Sequence, residues 1–392
     1  MMNVKTIDDV GVAGKRVLVR ADLNVPLKGG KVADDTRVVA TMPTIRKLVE
    51  GDARVVICSH LGRPKGEVKP ELSLRPVADV LSELLGRDVA FVEACVGPEA
   101  EDAVNKLNDG DVLLLENTRF WPGETENDAS FAAGLAALAD VFVDDAFGTA
   151  HRKHASNYGV AELVKPAVAG YLLAKEIQYF DKLLENPPRP LIFVLGGAKL
   201  STKLAVVQNT LDSVDHFLIG GGMAYTFLKA QGNNVGSSLV EEDFLDEAKN
   251  IMGEAGGKIE LPGDHVIAKA LDDPASARTV DCASIPEGYL GVDIGSETVQ
   301  RFTAATVNAG AIFWNGPMGV FEVPAFADGT EAVARAIAES GAVTVAGGGE
   351  TVQAARQFGV AERFSHISTG GGASLKYLEG KRLPAIAVLD RG

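Results

Sequence analysis

Leu191-Ile-Phe-Val-Leu195-Gly196-Gly197-Ala198-Lys199 is an apolar run that stops at a glycine pair. Five apolar residues without polar alternation are the pattern of a strand buried on both faces of a parallel sheet. Similar runs stand on either side of it. Before it come Arg16–Arg20, Arg54–Cys58, Asp111–Leu115 and Asp140–Val143. After it come His216–Ile219, Ala311–Trp314, Ala342–Ala346 and His366–Ser368. Helix-period segments lie between. Val38, Met42, Ile45 and Val49 share one face, as do Val77, Leu81 and Leu84, with Gly86 as a stop. Phe131, Leu135 and Leu138 make the Ala-rich 129–140 segment a packed helix. Strand–helix alternation in both halves predicts an α/β protein of two doubly wound, Rossmann-like parallel-sheet lobes.

The boundary between lobes is also written in the chain. Leu173, Ile177, Phe180 and Leu184 lie on one face of a long helix that ends at Asn186-Pro187-Pro188-Arg189-Pro190, where the prolines forbid continuation. The expected division is a first lobe over 1–170, a connecting helix over 171–186 and a second lobe over 187–372. Composition narrows the function. The 392 residues are 46% hydrophobic and 23% charged, enough apolar material for large cores, and the net charge is −15. A wide acidic surface repels nucleic acid and anionic lipid. No apolar run approaches a membrane span, and the N-terminus has no apolar signal segment. Cys58, Cys95 and Cys282 lack metal-ligand spacing and suit a reducing cytoplasm.

Two kinds of loop follow the strands. In the second half, Gly196–Lys199 and the triplets Gly220–Gly222, Gly347–Gly349 and Gly370–Gly372 each lead toward a helix. Glycine admits close approach of an anion to the backbone, and a helix start offers free N–H groups. Neither G-x-x-x-x-G-K-[ST] nor a complete G-x-G-x-x-G occurs, which speaks against a P-loop enzyme and an NAD-dependent dehydrogenase. Lys199 and Lys203, four apart at a helix start, are expected to share a face. In the first half the strand ends carry Arg20-Ala-Asp22-Leu-Asn24, Ser59-His60-Leu-Gly62-Arg63, Glu116-Asn-Thr-Arg119 and Asp144-Asp145 through His151-Arg152, with Arg37 near a helix start. Several arginines at one sheet edge predict a small substrate with more than one negative group.

Together these segments resemble the phosphoglycerate kinase family nearly end to end. The resemblance rests on Val19-Arg20-Ala-Asp22-Leu-Asn24-Val-Pro26, Ser59-His60-Leu-Gly-Arg63-Pro64, Glu116-Asn-Thr-Arg119-Phe120 and Asp145-Ala-Phe-Gly-Thr-Ala-His151-Arg152. Further markers are Gly196-Gly-Ala-Lys199, Gly220-Gly-Gly-Met-Ala, Trp314-Asn315-Gly-Pro317, Gly319-Val-Phe-Glu322 and Ser368-Thr369-Gly-Gly-Gly-Ala-Ser374. It implies reversible phosphoryl transfer between 1,3-bisphosphoglycerate plus ADP and 3-phosphoglycerate plus ATP, with Mg²⁺, in glycolysis and gluconeogenesis. It further implies a cytoplasmic monomer that transfers the group in line after its lobes close about the 171–186 helix.

The resemblance assigns 3-phosphoglycerate to the first lobe, through Asp22, Leu23, Asn24, Arg37, His60, Leu61, Gly62, Arg63, Arg119 and Arg152. It assigns the Mg-nucleotide to the second, through Gly197, Ala198, Lys203, Gly221, Asn315, Pro317, Glu322, Gly348, Gly349, Glu350 and Thr351, with Glu350 serving the metal. Arg37, Lys199 and Lys203 are the implied catalytic residues, and the 373–392 segment is implied to return to the first lobe. Two positions depart from the family pattern: Glu350 where Asp is usual, and Asp144 where Asn is usual. Because the acceptor carboxylate is ionised at neutral pH, no general base is required. A non-catalytic protein that only binds the phosphorylated metabolite is the other alternative, and the retained Arg37, Lys199, Lys203 and Glu350 carboxylate speak against it.

Overall fold

A computed structural model describes residues 4–391. The chain forms two compact units, Met1–Gln178 with Arg382–Gly392, and Tyr179–Lys381. The division falls inside the helix Tyr171–Leu184. Residues 373–381 stay with the second unit, so the segment that returns to the first is 382–392 rather than the expected 373–392. Its return is held by backbone pairing: Lys5 N–H donates to Asp390 O at 3.0 Å, and Asp390 N–H donates to Ala167 O at 2.8 Å.

The strands of the first unit are β1 (Arg16–Ala21), β2 (Leu27–Lys28), β3 (Lys31–Val32), β4 (Arg54–Cys58), β5 (Val89–Val92), β6 (Val112–Leu115), β7 (Val141–Asp145) and β8 (Ala167–Ala169). Six form one parallel sheet in the order β5-β6-β4-β1-β7-β8. Burial explains the pairing. All of β6 and β7 and nearly all of β1 and β4 are buried, so neither face of these strands reaches water. Val38, Ile45 and Leu48, on the helix Thr36–Glu50, pack over Val17, Val19, Val55 and Ile57. Pro43 lies inside that helix on its exposed face, where water can satisfy the carbonyl that its missing N–H leaves open. The helix Arg75–Leu85 ends at Gly86 with φ 68°, and the Gly86 N–H caps Ser82 O at 2.9 Å.

The second unit contains β9 (Leu191–Leu195), β10 (His216–Ile219), β11 (Ile259–Glu260), β12 (His265–Ala268), β13 (Arg278–Val280), β14 (Leu290–Ile294), β15 (Ala311–Asn315), β16 (Val343–Ala346) and β17 (His366–Ile367). Its parallel sheet runs β11-β10-β9-β15-β16-β17. Strands β12–β14 form a separate antiparallel sheet that the alternation of apolar runs did not announce. Chain order reverses between β9 and β15, and in the first sheet between β1 and β7. Such reversals open a crevice at the carboxyl ends of the strands, where ligands of α/β sheets bind.

Candidate functional site

The first crevice is built from side chains. Four neighbouring strands, β6, β4, β1 and β7, deliver their polar clusters to one edge. Register places Arg20 opposite both Cys58 and Asp144, so residues more than 120 positions apart become neighbours. Hydrogen bonds then fix the loops. Gly62 N–H donates to Asn24 Oδ1 at 2.8 Å, and Leu23 N–H to Ser59 Oγ at 2.9 Å. Asn117 holds the same loop twice, accepting from Leu61 N–H at 3.1 Å and donating to Leu61 O at 2.7 Å. Gly62 itself has φ 62°, and a Cβ there would stand 2.9 Å from Leu72 Cδ2.

Cations converge on this frame. Arg37, in the first turn of its helix, donates to the buried Asp22 carboxylate at 2.5 Å. Arg119 is buried and donates to Gly62 O at 2.8 Å. Its pKa is pushed down to about 10, first by burial and then by the charges of Arg20 and Arg152. It stays protonated at neutral pH, and the part played by Arg20 and Arg152, after burial, reflects cations set close to one another. His60 is buried, and its pKa is held well below 6.5 by burial first and then by Arg20, Arg119 and Arg37. A bound polyanion would relieve this repulsion. Arg63 and Arg152 are exposed.

Beneath the cations lies a layer that sequence reasoning missed as part of the site. Arg20 is fully buried, with Nε donating to Ser156 Oγ at 2.7 Å. Ser156 Oγ donates to Glu124 Oε1 at 2.6 Å, and Ser156 N–H to Glu124 Oε2 at 2.9 Å. Burial pushes the Glu124 carboxyl up, but hydrogen bonds from His154 and Ser156 and the Arg20 charge outweigh it, so its pKa is lowered. Arg20 stands in a strand motif quoted above. Glu124 and Ser156 lie in segments with no periodicity or motif to mark them.

Asp144 is also structural. It is fully buried at the end of β7, and its Oδ1 accepts from Ala146 N–H at 3.0 Å while Oδ2 has no hydrogen-bond partner. Burial pushes its pKa up to about 6, against the Ala146 N–H and Arg20.

The second crevice is built from backbone. Gly196 and Gly197 follow β9 and interlock with the turn after β15: Gly196 N–H donates to Asn315 O at 3.0 Å and Gly197 N–H to Pro317 O at 2.8 Å. Gly221 N–H donates to Met318 O at 3.0 Å. Gly221 has φ 63°, and a Cβ there would meet Gly197 N at 2.5 Å. These glycines supply close approach, but their N–H groups are already engaged. Free donors lie instead at the start of the helix Gly349–Gln357, where the amides of Gly349, Glu350 and Thr351 have no intrahelical acceptor. Asn315 Nδ2 donates to Gly347 O at 2.6 Å, and Thr351 Oγ1 accepts from Gly316 N–H at 2.7 Å, tying this helix start to β15.

Lys199 and Lys203 do not share a helical face. Residues Leu200–Thr202 form a single 3-10 turn, and the α-helix begins only at Leu204. Lys199 is exposed, whereas Lys203 is buried and its pKa is lowered by burial, against the opposing charge of Glu350. A Cβ on Gly197 would lie 3.4 Å from Lys203 Nζ and 3.7 Å from Glu350 Oε2, so both charges stand close to this glycine. Ala198 and Glu322 are exposed at the same sheet edge, and Gly348 precedes the helix with φ 96°.

No cluster of three or more His, Cys, Asp or Glu that could hold a metal occurs among the described residues. Glu350 alone, exposed in the first helical turn, fits a Mg²⁺ carried in mainly by phosphate oxygens, because Mg²⁺ is commonly held by one or two carboxylates plus substrate phosphates. No helix among the described residues is long and apolar enough to cross a membrane.

Comparison with known proteins converges with this geometry. The family model described as phosphoglycerate kinase matches residues 7–381. The phosphoglycerate kinase of Rubrobacter xylanophilus is 53% identical over 388 residues, covering 99% of this chain and 98% of its own. That of Clostridium novyi is 52% identical over 394 residues, covering 99% of each. Among solved structures, the phosphoglycerate kinase of Coxiella burnetii superposes with a TM-score of 0.90 at 43% identity, covering 98% of both chains. That of Pyrococcus horikoshii superposes at 0.85 and 34% identity, with the same coverage. An arginine-lined crevice and a glycine-lined crevice, each on its own six-stranded sheet, thus accompany similarity over nearly the whole length, and the chain belongs to the phosphoglycerate kinase family of phosphotransferases.

Proposed function

We propose that the chain interconverts 1,3-bisphosphoglycerate plus ADP with 3-phosphoglycerate plus ATP, holding the phosphoglycerate in the first unit and the Mg-nucleotide in the second. The observation that carries the first assignment is the convergence of Arg37, His60 and Arg119 on one sheet edge, with the Arg119 pKa lowered by burial first and then by neighbouring positive charge. A ligand with a carboxylate and a phosphate suits such a site. Asp22 aims Arg37, Asn24 and Asn117 fix the 59–62 loop, and Arg63 and Arg152 stand exposed to meet the ligand. In the second unit the glycine loops admit the phosphate chain, Lys203 supplies a poorly hydrated positive charge, and the amides of Gly349–Thr351 cap the anion.

Phosphoryl transfer needs positioning and charge stabilisation rather than covalent help from the protein. Arg37 and Lys199 are the groups proposed to follow the migrating phosphoryl. Mg²⁺, held on the protein side by Glu350, would neutralise phosphate charge. Reacting oxygen and phosphorus must approach within roughly 3–3.5 Å, so the two units are proposed to close around the helix Tyr171–Leu184. Closure also protects the acyl phosphate from water. Free, buried Cys58 and Cys95 support a reducing, cytoplasmic setting.

The test is ATP-dependent acyl-phosphate formation from 3-phosphoglycerate with Mg²⁺, read through a coupled NADH assay. Arg119→Ala is expected to raise KM for 3-phosphoglycerate about tenfold or more while leaving KM for ATP nearly unchanged, and Lys203→Ala to do the reverse. If both variants moved the same KM, the division of substrates between the units would be wrong.

A further inference from the structure

The buried layer under the first crevice has a direction that can be read donor by donor. A guanidinium has five N–H donors and no acceptor. Arg20 NH2 lies 3.1 Å from His60 Nδ1, so Nδ1 must accept. Two more of its donors are tied down as well: NH1 donates to Ala21 O, and Nε to Ser156 Oγ. Ser156 Oγ can accept from Arg20 because its own proton goes to Glu124 Oε1. The row therefore diverges from Arg20, which donates through Ser156 to Glu124 on one side and to His60 on the other.

An imidazole whose Nδ1 accepts, and which is neutral, carries its one proton on Nε2. His60 Nε2 has no hydrogen-bond partner in the protein among the described residues, and it is not one of the sealed atoms left unpaired. We infer that Arg20 is a positioning residue: its guanidinium fixes His60 as the Nε2–H tautomer, so that the ring offers the anionic substrate a hydrogen-bond donor instead of a lone pair. The tautomer matters because a neutral ring with the proton on Nδ1 would turn its Nε2 lone pair toward a carboxylate or phosphate oxygen, which is repulsive. Charged and titratable groups around the ring act in the same sense. Arg20, Arg37, Arg119 and His154 all oppose a second proton, with Glu124 behind Ser156 as the nearby acid.

The substrate part of this inference rests on the reading that 3-phosphoglycerate binds the first unit; the tautomer part does not. The test uses the full chain with its six histidines labelled with ¹⁵N, and His60 assigned by its disappearance in His60→Gln. Wild-type protein is expected to show a protonated, pyrrole-type Nε2 and a pyridine-type Nδ1 at pH 7, with no titration near the ordinary pKa of ~6.5. Arg20→Met is expected to give mixed tautomers, a ring that titrates at higher pH, and a KM for 3-phosphoglycerate raised about tenfold with kcat within about twofold. Arg20→Lys, whose ammonium can still donate to Nδ1, is expected to restore the Nε2–H form.

A wild-type ring protonated on Nδ1, or doubly protonated, would overturn the inference without any variant. So would a single Nε2–H tautomer persisting in Arg20→Met. Should Arg20→Met not fold, Ser156→Ala loosens the same guanidinium and is expected to broaden or split the His60 signals; unchanged signals there would count against it. A tautomer change with unaltered KM would uphold the Arg20–His60 link and overturn the placement of 3-phosphoglycerate.

Discussion

The two crevices sit at equivalent places on similar sheets, yet they meet anions by opposite means. The first concentrates side-chain donors, the cations Arg37 and Arg119 and the neutral His60, over a buried polar layer. The second relies on backbone: interlocked glycine turns and one helix start, with Lys203 and Glu350 close to Gly197. The contrast suits the ligand proposed for each. A small ligand with two distinct anionic groups is best recognised by arginine forks of fixed geometry. A phosphate chain is recognised by close approach of the main chain, which tolerates no Cβ. The first site should therefore fail through lost charge, and the second through added volume.

The largest expected effect is on the first. Arg37→Ala removes a cation and leaves the buried Asp22 carboxylate without its 2.5 Å partner. If Arg37 stabilises the moving phosphoryl, kcat/KM should fall roughly 10²–10³-fold with kcat carrying much of the loss. A loss confined to KM would make it only a substrate clamp. Next comes Gly221→Ala in the second unit. Positive φ and a Cβ 2.5 Å from Gly197 N together should cost roughly 2–4 kcal/mol in chemical denaturation. Gly86→Ala is the matched control: its φ of 68° is similar, but nothing lies within 4 Å, so about 1 kcal/mol is expected. Equal losses at the two glycines would mean that the interlock adds nothing beyond backbone strain.

Most of this contrast was legible in the sequence, because parallel strands buried on both faces announce themselves as apolar runs and their ends carry the chemistry. Leu191–Leu195 and Arg54–Cys58 are strands with the expected limits. Short or half-exposed strands were not legible: Val89–Val92, with an interrupted burial pattern, and the three-residue Ala167–Ala169. The small antiparallel sheet escaped for the same reason, since Arg278–Val280 has little apolar content. In the sites, residue types were visible but depth was not. Nothing in spacing separates the buried Lys203 from the exposed Lys199, because a 3-10 turn replaces the expected helical turn between them. Ser156 and Glu124 were invisible because their role exists only once β1 and β7 are paired and Arg20 is covered.

Asp144 sharpens the comparison at moderate cost. Its carboxyl is raised from 3.8 to about 6 by burial, so the folded protein keeps a proton that the unfolded chain releases. Stability must then fall as pH rises from about 4 to about 6 and stay level above, by up to about 3 kcal/mol for a gap of this size. Asp144→Asn keeps an acceptor for the Ala146 N–H but removes the charge. Urea denaturation should show the variant more stable by roughly 1–3 kcal/mol at pH 8, with the gain absent near pH 4. Loss of stability at pH 8 would mean that the Asp144 charge offsets Arg20 more than burial penalises it.

The smallest effect tests whether the second site is as insensitive to side-chain detail as its backbone construction implies. Glu350 is exposed, stands in the first turn of its helix, and has Lys203 close enough to feel its charge. An exposed carboxylate can reposition by rotation, so shortening it by one methylene should cost little when the metal is held mainly by phosphate oxygens. Glu350→Asp is therefore expected to change KM for Mg-ATP by only about two- to fivefold, whereas Glu350→Gln, which loses the charge, should raise it about tenfold and steepen the dependence on free Mg²⁺. The two variants must be compared across a Mg²⁺ titration, because loss of a metal contact is rescued by excess metal and loss of a contact to nucleotide is not. If Glu350→Asp and Glu350→Gln behaved alike and neither responded to Mg²⁺, the carboxylate would be acting on Lys203 rather than on the metal, and the second site would bind its nucleotide by backbone and lysine alone.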